Sequence, residues 1–176
     1  MKRVVLLLLP FCLLSNASRA ETQVGSWNMT INGTVLPSSC DVDAGSQNQT
    51  IQMGKISSSV FSSVGATSPN TPVSIKLTGC TNTVGAKVTF SGNADADNPQ
   101  LLALSDTGSS GTLATGVGVE VLNSDNTAIP LNSPSSQYSL KDGDNTLSFL
   151  LHYKATKMPV TGGSATAVVY FDMSYQ

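Results

Sequence analysis

The feature that most limits how this chain can fold is the spacing of its apolar residues. They recur at every second position, and no segment carries them at i, i+3, i+4 and i+7 over three turns. Gly, Asn, Asp, Pro and Ser break the alternation every ten residues or so, which predicts many short strands rather than helices. Val73-Ser74-Ile75-Lys76-Leu77, Lys87-Val88-Thr89-Phe90 and Val117-Gly118-Val119-Glu120-Val121-Leu122 are such runs. Residues 147–153 are more continuously apolar, as expected of a strand buried on both faces. A last run spans 164–176. Asp142-Gly143 between two extended runs predicts a hairpin-type turn. Ser68-Pro69-Asn70-Thr71-Pro72 and Asn132-Ser133-Pro134 read as loops, because Pro cannot donate into a central ladder. Ser and Thr crowd the positions between apolar residues and suit the solvated face of antiparallel sheet. The pattern predicts an all-β chain, a single β-sandwich with an extra N-terminal segment.

The first 20 residues stand apart. Met1-Lys2-Arg3 is basic, Val4 to Leu14 is apolar except for Pro10 and Cys12, and Ser18 and Ala20 are the small residues of a cleavage site. This predicts a secretory signal peptide cut after Ala20, since an 11-residue apolar run is too short for a ~30 Å membrane core. No later stretch is long and apolar enough to span a bilayer, so no transmembrane segment is expected in the exported chain. Cleavage removes both arginines and one lysine, leaving six Lys against eleven acids and a net charge of −5. Nothing in that balance suits nucleic acid. Cys12 leaves as well, and two cysteines in an exported chain predict a Cys40–Cys80 disulfide. Closing a loop of about 40 residues stabilises by about 3–4 kcal/mol in the chain-entropy model.

Catalytic chemistry is poorly supplied. The single histidine, His152, is expected on a strand at the surface or rim, with no triad partners in view. Residues 93–98 superficially resemble the start of a calcium loop, but Asn98 replaces the required Gly and Leu104 the bidentate Glu. No catalytic residues, metal ligands or cofactor are assigned, and the chain is expected not to be an enzyme.

The two ends of the exported chain look like unfinished sheet. Trp27, Met29, Ile31, Gly33 and Val35 fall at every second position, with Asn28, Thr30, Asn32 and Thr34 between. Such a strand carries one apolar and one polar stripe. It either pairs within its own chain or serves another. At the other end Ala165, Ala167, Val169, Phe171, Met173 and Tyr175 alternate with more polar neighbours, and no charged tail or Gly/Pro stop follows. A strand of this kind at an edge invites pairing with another chain.

This layout resembles the pilus subunits of the chaperone–usher route, specifically the type 1 fimbrial family. The residues that carry the likeness are the alternating N-terminal extension with Gly33 in its apolar register, Cys40 and Cys80, Gly163 fourteenth from the end, and the penultimate Tyr175. Residues 98–104, 129–136 and 155–161 are most similar to the FimF-type minor subunit of the pilus tip, although the 19 residues ahead of Cys40 are a few more than expected there. The resemblance implies an incomplete immunoglobulin-like β-sandwich lacking its final strand. A donor strand from a periplasmic chaperone, and then from a neighbouring subunit at the outer-membrane usher, would complete it. It implies a signal peptide (1–20), a donor-strand extension (21–36) and a pilin domain (37–176). Trp27, Met29, Ile31 and Val35 would be the donated side chains, with Gly33 where space is lacking. Gly163, Ala165, Ala167, Val169, Phe171, Met173 and Tyr175 would form the accepting strand. The implied partners are the chaperone, the usher and other subunits of a hetero-oligomeric fibre. The implied route is export through the periplasm to the cell surface. The competing expectation is a self-contained secreted adhesin or lectin-like binding domain.

Overall fold

A computed structural model of the chain describes residues 39–81, 85–106 and 111–175. The expected signal peptide and the extension with Trp27, Met29, Ile31, Gly33 and Val35 lie outside the described residues. The chain is nearly all β. Its strands are β1 (Ser39–Val42), β2 (Thr71–Thr81), β3 (Ala86–Ser91), β4 (Val117–Asn123), β5 (Ala128–Ile129), β6 (Gly143–Ala155) and β7 (Tyr170–Tyr175). A one-turn helix α1 (Ala44–Gln47), capped by the Asp43 side chain, follows β1. One sheet has the order β1-β2-β6-β4-β5 and the other pairs β3 with β7, all antiparallel. The fold is an immunoglobulin-like sandwich that lacks a strand.

The runs at 73–77, 87–90, 117–122 and 147–153 became strands, each longer than its apolar kernel. In β3 every second residue, Ala86, Val88 and Phe90, is buried while those between are half-buried, as one-sided burial of a pleated strand requires. Phe149 in β6 anchors the core, meeting Phe90 and Tyr138 edge-on at ring-centre distances of 5.0 and 5.7 Å. Cys40 and Cys80 form the expected disulfide, tying β1 to β2.

Four local expectations need correction. First, Thr71 and Pro72 belong to β2 rather than to a loop, with Pro72 opposite Leu150. The main-chain groups of Ser74 and Lys76 face away from β6, toward Gln49, Asp43 and Ser46. Pro72 shares that parity, so its missing N–H falls outside the β2–β6 ladder. Second, Asp142-Gly143 is not a hairpin turn between paired strands. Tyr138 before it bonds to Ala86 of β3, whereas β6 after it pairs with β2, so the chain changes sheets there with Gly143 at φ 89°. Third, only the second half of β6 is covered on both faces. Ser148 is exposed, but His152 is buried, with Glu120 of β4 and Asn70 on its two ring nitrogens. His152 Nε2 lies 2.7 Å from Glu120, Nδ1 lies 2.9 Å from Asn70 Oδ1, and Lys154 reaches the other Glu120 oxygen at 2.9 Å. The histidine is therefore an interior structural group rather than a rim residue. Fourth, of the run 164–176, only Tyr170–Tyr175 is regular strand.

Candidate strand-accepting groove

The irregular half of that last run borders an open cleft of about 980 Å³. Its floor is the inner face of the large sheet: Val117, Val119 and Val121 of β4, with Leu151 and Tyr153 of β6. Residues 49–56 form one wall, without regular pairing, and direct Ile51, Met53 and Ile56 onto the core. Residues 160–169 form the other wall, which includes Gly163, Ala165, Ala167 and Val169. Lys55 is the sole charged residue among those lining the cleft. A space with an apolar floor and one charged residue in its lining suits side chains of an extended peptide rather than a charged metabolite.

The main chain of the second wall has one occupied edge and one open edge. Ser164 exchanges hydrogen bonds with Thr112 and Ala114, each 2.8 Å, and the Thr166 carbonyl accepts from Ser105 N–H at 2.8 Å. Farther along, Ala86, Val88 and Phe90 of β3 bond to the segment 132–138, so Lys87, Thr89 and Ser91 are the β3 residues that face β7. Their partners are Ser174, Asp172 and Tyr170. Successive residues of a strand point their main-chain groups to opposite edges. The even-numbered positions from Ser164 to Ser174 therefore share the occupied edge. Ala165, Ala167, Val169, Phe171 and Met173 face the other, and among the described residues no strand pairs with it. Unpaired groups in such a row are a template for another strand.

Side chains fix this wall at particular points. A Cβ on Gly163 would collide with the backbone of Thr112, Leu113 and Ala114, so only glycine permits the wall to cross that loop so closely. The Tyr153 hydroxyl donates to the Ala165 carbonyl at 2.5 Å, and the Tyr175 hydroxyl to the Cys40 carbonyl at 3.1 Å. Burial pushes both phenols above their ordinary pKa, which keeps each protonated as a donor. Ala165, Ala167, Phe171 and Met173 pack on the core, while Val169 is exposed at the lip. Phe171, Met173 and Tyr175 continue the strand beyond the cleft itself.

Sequence reasoning did not single out the floor or the first wall. Val117, Val119, Val121, Leu151 and Tyr153 carried only the ordinary signal of core strands. The pair Ile51 and Met53, two apart, was the available hint for the wall. No cluster of three His, Cys, Asp or Glu that could hold a metal occurs among the described residues. No described helix is long and apolar enough to cross a membrane.

An immunoglobulin-like sandwich with a strand missing and an apolar groove in its place defines the class of pilin-like domains. The chain belongs to the fimbrial protein family, whose signature it matches over residues 29–176. It is 45% identical over 151 residues to the uncharacterized fimbrial-like protein YcbU of Escherichia coli K12, covering 85% of this chain and 84% of that one. It is 35% identical over 178 residues to the probable major fimbrial subunit LpfA of E. coli O157:H7, covering 100% and 98%. Among solved structures, a type I fimbria protein of Burkholderia pseudomallei shares 34% identity with a TM-score of 0.61, over 81% of this chain and 91% of that one. A chaperone–usher pilus structure shares 26% identity with a TM-score of 0.65, over 87% and 97%. The chain is thus a structural subunit of surface fimbriae of the chaperone–usher kind, not an enzyme.

Proposed function

We propose that the cleft accepts a donor strand and that residues 21–36 are a donor strand for a neighbour. The observation that carries this reading is the open edge of Ala165, Ala167, Val169, Phe171 and Met173 beside an apolar cleft. A strand added there gains main-chain bonds along the edge and places alternate side chains over the floor. Trp27, Met29, Ile31 and Val35 supply four apolar anchors, and Gly33 avoids a crowded position. At roughly 1.5–3 kcal/mol each, four anchors give about 6–12 kcal/mol before ordering costs. A periplasmic chaperone fills the cleft first, and subunit exchange at the usher replaces it on the way to the cell surface. Within the fibre we assign the chain to a minor tip adaptor, on the likeness of residues 98–104, 129–136 and 155–161 to such subunits. A major subunit is the second reading, favoured by the full-length match to LpfA.

The test compares the full chain with a version lacking residues 21–36. The deletion is expected to retain one-to-one chaperone binding and to lose donation into a neighbour. A deleted chain that still extends a fibre sinks the donor assignment. An intact chain that is a denaturant-resistant monomer without any partner favours the self-contained adhesin instead.

A further inference from the structure

We propose that Tyr153 is a positioning residue for strand acceptance, its hydroxyl holding the accepting wall at working distance from the groove floor. The inference rests on the reading of the cleft as a strand acceptor. Tyr153 stands on β6 in the floor, and Ala165 stands in the opposite wall. Their hydrogen bond of 2.5 Å spans the cleft from sheet to wall. The wall around Ala165 has no regular ladder, being held by bonds of Thr161 to Thr115, of Ser164 to Thr112 and Ala114, and of Thr166 to Ser105. From the groove floor, Tyr153 adds a hydrogen bond to the Ala165 carbonyl, on the edge that faces the missing strand. Without it, apolar walls beside an apolar floor are free to close together.

The bond leaves room for an arriving strand. A carbonyl oxygen has two lone pairs. The phenol approaches from the opposing sheet, across the core, whereas a strand N–H arrives along the edge. Tyr153 and the added strand can therefore share Ala165, and the phenol remains in place through acceptance. A preset wall spacing lowers the ordering cost of binding. The other core phenol, Tyr138, bonds to Asn123 away from the cleft and serves as a control.

The experiment titrates the full chain with a fluorescent synthetic peptide of residues 27–35. Tyr153→Phe is expected to weaken binding about tenfold, with slower association, while Tyr138→Phe binds like the wild type. Equal affinity of Tyr153→Phe and wild type, or tighter binding by Tyr153→Phe, overturns the positioning role alone. No binding by any of the three overturns this inference, and the strand-acceptor reading falls with it only if a periplasmic pilus chaperone also fails to bind the wild-type chain. Should Tyr153→Phe fail to fold, the wild-type sequence carrying 3-fluorotyrosine decides. The Tyr153 hydroxyl proton is then expected to stay protected from solvent exchange both before and after peptide saturation. Loss of that protection on binding means the strand displaces the phenol, and the proposal fails.

Discussion

β6 and the C-terminal run both carry alternating apolar residues, yet they are finished to different degrees. β6 pairs with β2 on one side and with β4 on the other. The C-terminal run pairs with β3, Ser105 and residues 112–114, and among the described residues these occupy one edge only. Side chains follow the same division. Phe149 of β6 is 1% exposed, whereas Phe171, also pointing inward, remains half-buried. The difference teaches that this fold keeps its closed core and its open edge in separate strands. Completing the ladder around β6 produces a core, and the last strand keeps one main-chain edge unpaired among the described residues.

The largest expected effect tests that division directly. Phe149→Ala removes a ring enclosed by Phe90 and Tyr138 and should cost about 3–5 kcal/mol in the unfolding of the isolated subunit. Phe171→Ala should cost roughly 1–2 kcal/mol, since less of that ring is removed from water. Denaturant unfolding of both variants measures the gap. Equal costs would break the comparison, because they would mean the C-terminal strand is already as enclosed as β6.

A smaller effect arises from the partly buried phenols Tyr138, Tyr153 and Tyr175. Burial raises the pKa of Tyr153, Tyr138 and Tyr175 in the folded chain. The native state therefore holds these protons at pH values where the unfolded chain has released them. Their contribution is fully present below the unfolded phenol value of about 10 and is lost as pH rises through the folded values. Unfolding free energy followed from pH 9 upward should fall, and Tyr153→Phe should reduce the slope. A flat profile above pH 10 would show that the phenols are not held out of solvent.

Much of this architecture was legible as alternation. A period of two gives strand positions and inward faces, and it gave both for β3 and β4, where neighbours in sequence see the same two environments throughout. It was blind to anything that changes along a strand. Glu120 and Asn70 meet the ring of His152, so it is interior although Ser148 on the same face is exposed. Alternation along Ala165 to Tyr175 likewise defined which side chains point inward. It could not say that one main-chain edge is taken by segments about 50–90 residues earlier, which leaves the other unpaired among the described residues. The floor residues Val119, Val121 and Leu151 looked like any core, because the floor of an open cleft is built from the same apolar alternation as a closed one.

The smallest expected effect separates buried charge from surface charge across the same comparison. Lys154 on β6 and Lys157 just beyond it each meet an acid, at 2.9 and 3.5 Å. Glu120, the partner of Lys154, has only 10% of its side chain exposed and also holds His152. Lys157 and its partner Asp97 are 67% and 41% exposed, so water and salt screen their attraction. Lys157→Ala should therefore change unfolding free energy by less than about 1 kcal/mol. Raising the salt concentration should shrink even that difference. A larger, salt-insensitive loss would mean that the segment after β6 is fastened to the 93–98 turn, extending the finished part of the sandwich toward the wall of the groove.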